Sequence, residues 1–91
     1  MLVVVCYDIA DDRRRNKVAK ILEGYGERVN FSVFECWLDR RRYNKLMQRL
    51  RRRVHPDQDV VRVYRMCASC ADRREGLGEY ELTALDEVIV L

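Results

Sequence analysis

Residues 3–12 read VVVCYDIADD. From Val3 to Tyr7 five apolar or aromatic residues run without a polar break. A strand wet on one face alternates apolar with polar. An unbroken run marks a strand covered on both faces, in the middle of a sheet. The run ends on Asp8, and a carboxylate at the mouth of a core can serve as a metal ligand or general base. It can equally be a strand-end turn residue that bonds nearby backbone. Asp11 and Asp12 follow, and either can cap the amphipathic helix that begins there.

The 91 residues make one domain. A chain this short buries only about 60–65% of its unfolded surface, so association with a second copy would help it. No apolar run reaches membrane-spanning length, and the first residues form a strand rather than a signal peptide, so the expected location is the cytoplasm. The net charge of +3 conceals a split. Residues 1–74 hold all 18 Lys and Arg with 10 acids, whereas residues 75–91 hold five acids and no base. An Arg-rich, basic body points to phosphate as a partner, because the guanidinium can bind two oxygens at once.

Outward from the first strand (2–8), the pattern predicts a helix over 12–25, with Val18, Ile21, Leu22 and Tyr25 as its apolar stripe and Gly24 and Gly26 as a left-handed stop. A short strand is expected at 27–31 and a second strongly apolar one at 32–38. There Phe34, Cys36 and Leu38 face one way and Val33, Glu35 and Trp37 the other. A second helix is expected over 40–54, capped by Asp39 and stopped before Pro56. A strand at 59–66, a turn region at 67–78 and an acidic last strand at 79–91 complete the chain. The order is α+β, a ferredoxin-like βαββαβ sandwich with an extra C-terminal strand, its core at 1–78. Two helices cover only one face of such a sheet. The apolar residues on the other face call for a second copy, sheet against sheet.

Arg13, Arg14, Arg15 and Lys17 on the first helix, Arg28, and Arg41, Arg42, Lys45, Arg49, Arg52 and Arg53 on the second are the candidate nucleic-acid ligands. Eight bases within 40–53 with no acid among them exceed what solubility needs. Their spread round the polar arc suits backbone phosphates rather than base edges. The alternative is a solvated helix face. Cys67-Ala-Ser-Cys70 is half a zinc site, a redox pair or a structural turn. No nucleotide-cradling Gly loop and no Ser/His/Asp or Cys/His set is visible.

Four motifs in order, Tyr7-Asp8-Ile9, Asp11-Asp12-Arg13, Gly26-Glu27-Arg28-Val29 and Ser32-Val33-Phe34-Glu35, resemble the CRISPR-associated protein 2 family over nearly the whole chain. The resemblance implies a homodimer acting in spacer acquisition, bridging dimers of the CRISPR-associated integrase, protein 1. Some members are metal-dependent endonucleases on single-stranded RNA or double-stranded DNA. Their assigned ligand falls on Asp8, with Mg²⁺ as the ion. Tyr7, Arg15, Arg28, Ser32 and Phe34 fall on further positions of interest, and Lys17 stands where other members often have Arg. The acidic C-terminal strand is then expected on the partner protomer's sheet or on the integrase. A generic RNA-binding ferredoxin-like module is the alternative.

Overall fold

A computed structural model describes residues 1–79. Its elements are β1 (Leu2–Asp8), α1 (Asp12–Glu23), β2 (Glu27–Asn30), β3 (Val33–Trp37), α2 (Arg40–Arg51), β4 (Val60–Met66) and a one-turn α3 (Ala68–Ala71). The sheet order is β2-β3-β1-β4, with every neighbouring pair antiparallel. This is the ferredoxin-like arrangement, and the two most apolar strands, β1 and β3, hold its centre.

The alternation along each strand sorts the sheet into two faces. Val3, Val5 and Tyr7 of β1 and Phe34 and Cys36 of β3 are buried in one core with Val18, Ile21 and Leu22 of α1 and Leu46 and Leu50 of α2. Asp11 caps α1 by accepting the Arg14 N–H at 2.9 Å, and Asp39 caps α2 by accepting the Arg42 N–H at 2.8 Å. Each such cap contributes about 1 kcal/mol.

Four expectations need correction. The helices end earlier, at Glu23 and Arg51. Gly24 ends α1 in right-handed geometry (φ −80°), so no left-handed stop operates there. Glycine is required instead at Gly26, where any Cβ would overlap the Glu35 carbonyl oxygen and the Cys36 sulfur. The turn region contains α3, and that helix changes the account of the helix-free face. Leu2 is fully buried there, outside the main core, and Ala71 of α3 is 1% exposed. Arg74 pairs with Glu35 at 2.8 Å and lies over the Trp37 ring. Leu2 is thus covered within a single chain, so a second copy is not needed at that point of the face. The other end stays open: Val4 and Cys6 are half-buried, and Val60, Tyr64 and Asp8 are exposed. The expected acidic strand at 79–91 lies, apart from Glu79, outside the described residues.

Candidate nucleic-acid interface

Helix geometry builds the basic site. Residues 13, 16, 17 and 20 of α1 fall on one face, as do 49 with 52 and 53 at the end of α2. The two faces meet across a groove of about 620 Å³ lined by Arg13, Asn16, Lys17, Lys20, Ile21, Arg49, Arg52 and Arg53. Among the described residues, six cations line it and no carboxylate does. Like charges gathered this closely raise the local potential and draw in anions.

A second groove of about 450 Å³ begins where Arg49 ends the first, lined also by Gly24, Tyr25, Asp39, Arg41, Arg42 and Lys45. The guanidinium carbons of Arg42 and Arg49 lie 5.0 and 6.0 Å from the Tyr25 ring centroid. The ring holds these long side chains in place by attraction between cation and π face. Together the grooves collect Arg13, Lys17, Arg41, Arg42, Lys45, Arg49, Arg52 and Arg53 of the predicted set.

The other three arginines are engaged elsewhere. Arg14 makes a two-pronged pair with Asp59, Nε to Oδ2 at 2.8 Å and Nη2 to Oδ1 at 3.0 Å. The Asp59 carboxylate has no exposed surface and also accepts the His55 N–H at 2.8 Å. The Arg14 hydrogen bonds hold the Asp59 carboxyl below its ordinary range, and the same bonds raise the Arg14 pKa. Arg15 donates to the Ile9 and Ala10 carbonyls and pairs with Asp12, fixing the loop after Asp8. Arg28 donates to the Phe31 carbonyl at 2.6 Å and lies over the Phe34 ring.

Of the residues flagged by resemblance, Tyr7, Arg28, Ser32 and Phe34 gather round that same turn, and Arg15 does not. The Tyr7 hydroxyl donates to the Phe31 carbonyl at 3.4 Å, and the Tyr7 N–H donates to the Ser32 carbonyl at 3.0 Å. Tyr7 and Phe34 stack with centroids 6.4 Å apart. They brace the β2–β3 turn beside Asp8, which is exposed at the end of β1 on the helix-free side.

One carboxylate supplies too few oxygens for an octahedral Mg²⁺ shell, although that ion can borrow phosphate oxygens and water. Among the described residues, no group of three or more His, Cys, Asp or Glu side chains is assembled to hold a metal. A single chain thus does not fit a resident Mg²⁺ on its own.

Sequence reasoning left Lys20 and Asn16 out of the site. The signal was present: Lys20 is three residues beyond Lys17 and seven beyond Arg13, a repeat that returns to the same helix face.

The family model described as CRISPR associated protein Cas2 matches residues 1–74. The chain belongs to the Cas2 family. Among Cas2 relatives, a protein of Chloroflexus aurantiacus named CRISPR-associated endoribonuclease Cas2 1 is 48% identical over 80 residues, covering 87% of this chain and 86% of the relative. CRISPR-associated endonuclease Cas2 2 of Thermus thermophilus is 48% identical over 90 residues, covering 99% and 96%. The crystal structure of Streptococcus pyogenes Cas2 at pH 6.5 superposes with a TM-score of 0.75 at 32% identity, covering 86% of this chain and all of that one. Among the described residues, no helix is long and apolar enough to cross a membrane.

Proposed function

We propose that this Cas2 chain is the nucleic-acid clamp of a CRISPR adaptation assembly. Two copies join through the open end of the helix-free face and grip double-stranded DNA by its phosphates. They bridge dimers of the integrase, CRISPR-associated protein 1, as the family resemblance implies. The observation that carries the clamp is the α1–α2 groove, where six cations meet with no carboxylate among the described residues. Phosphate contacts of this kind orient a duplex without reading its sequence.

The test is the salt dependence of duplex binding. Log K should fall linearly with log salt, by about 0.9 per phosphate neutralised. A flat response would remove the clamp. Base sequence should leave the affinity unchanged.

A second reading follows from the exposure of Asp8 and from relatives whose names include endonuclease and endoribonuclease. Here the chain is a Mg²⁺-dependent nuclease whose ion needs the Asp8 of a second copy as well. Asp8→Asn should abolish cleavage of single-stranded RNA or duplex DNA and leave duplex affinity within twofold. Cleavage by the variant at the wild-type rate would end this reading and leave the clamp untouched.

A further inference from the structure

The chain has four cysteines, all free, in two contrasting settings. Cys36 is buried in the core and Cys6 is half-buried on β1. Burial pushes the Cys36 thiol up to about 11, so it is inert. Cys67 and Cys70 are both exposed. They stand one helical turn apart, at the residue before α3 and within it. Cys67 is the N-cap of α3 and Cys70 lies three residues on, a spacing that puts the two side chains on one side of the helix start, where each acts on the other.

The surroundings of Cys67 favour its charged form. The Ser69 hydroxyl lies 3.2 Å from its sulfur, and once that sulfur is a thiolate the hydroxyl can only donate. The Ser69 hydroxyl first, then the Cys70 N–H and thiol, bring Cys67 down to about 7. Cys70 moves the opposite way, raised by the sulfur beside it. One sulfur is thus an exposed nucleophile, and its neighbour holds a proton until needed. The nucleic-acid grooves use neither residue.

We propose that Cys67 and Cys70 form a redox-active dithiol that exchanges with small-molecule disulfides of the glutathione class, Cys67 attacking and Cys70 resolving. The Cys67 thiolate attacks one sulfur of the disulfide. A mixed disulfide forms, the small-molecule S–S bond breaks, and one small thiolate leaves. The Cys70 thiol then loses its proton to that thiolate and attacks the Cys67 sulfur. The protein S–S bond forms, the mixed bond breaks, and the second small thiolate leaves and takes a proton from water. The protein loses two electrons and two protons overall, counting the one Cys67 gave to water, and the small disulfide takes up both pairs to become two thiols.

The rate advantage can be set. Lowering a thiol from 9.0 to about 7 gives roughly fifty times more thiolate at neutral pH. The weaker basicity costs part of that gain, so attack should be roughly five- to eightfold faster than by an ordinary thiol.

The experiment uses the whole chain and oxidised glutathione, with mass spectrometry under non-reducing conditions. Wild type should become lighter by two hydrogens, with the new bond mapped to Cys67–Cys70. Cys70→Ser should stop as a glutathione adduct on Cys67. Cys67→Ser should react at the ordinary rate. Ser69→Ala should slow the first step and move the midpoint of its pH–rate curve upward, while Ser69→Thr, which keeps the hydroxyl, should restore both. All these side chains are exposed, so the fold is not at risk. Equal adducts at both cysteines, a disulfide only between chains, or zinc retained through dialysis and shielding both thiols would each overturn the proposal. None of these outcomes bears on the clamp, whose test is salt dependence.

Discussion

The outer surface of the two helices and the helix-free face of the sheet are both incomplete, in different ways. The helix surface has excess charge: six cations in the α1–α2 groove and, among the described residues, no acid to meet them. The helix-free face has excess apolar area at one end only. At the Leu2 end that residue is fully buried and the Arg74–Glu35 pair lies on the same face, while Val60, opposite Asp8, is 45% exposed and Tyr64, opposite Val4, 51%. Each deficit specifies its own remedy. Unpaired cations need a polyanion, and an open apolar end needs another apolar surface. Binding and self-association should therefore separate by mutation.

The sharpest separation comes from the groove. Arg49→Gln, Arg52→Gln and Arg53→Gln together should lower duplex affinity roughly 500-fold at about 0.1 M salt if each removes one phosphate contact, and lower the salt slope by about 2.7. Sedimentation should show an unchanged association state. If association changes with binding, the two surfaces are not separate. Next is the Leu2 end. Leu2→Ala should cost about 2–5 kcal/mol by urea unfolding, as for a buried leucine that leaves a cavity. A surface-like cost would mean that Leu2 is not covered within a single chain.

The clasp at Asp59 gives a pH test. Its carboxyl is lowered, so its contribution is complete above the ordinary value of about 3.9 and is lost as pH falls below it. Asp59→Asn should lower the melting temperature at neutral pH and flatten the acid limb of the melting profile. An unaltered acid limb would remove Arg14–Asp59 as its source. Smallest are the open-end changes. Asp8→Asn and Tyr64→Ala should each alter the stability of a single chain by about 0.5 kcal/mol or less. A Tyr64→Ala cost that grows with protein concentration would show a second copy over that residue.

The sequence revealed most of this layout where the signal was local. Unbroken apolar runs placed β1 and β3 at the centre, and helical spacing placed Val18, Ile21, Leu22, Leu46 and Leu50 in the core. What it could not sort was Arg13 from Arg14. They are adjacent and chemically identical, yet one lines the groove and the other is drawn to a carboxylate 45 residues away. That pairing exists only after the chain folds. Arg28 and Tyr7 met on the Phe31 carbonyl for the same reason. The one-turn α3 is too short to leave a period, and nothing local marked Ala71 as a buried residue.

The Arg14–Asp59 pair has a consequence for the unliganded molecule. It ties α1 to the segment between α2 and β4 and so keeps two positively charged walls facing each other. The free protein carries that mutual repulsion as a permanent weakness in its folding free energy. Any polyanion lodged between the walls relieves it and favours the folded form over an unfolded chain in which the same cations are dispersed. Heparin or polyphosphate at a hundred times its dissociation constant should thus act as a thermal protectant, adding at most about 2.7 kcal/mol, less whatever it gains by binding the unfolded chain.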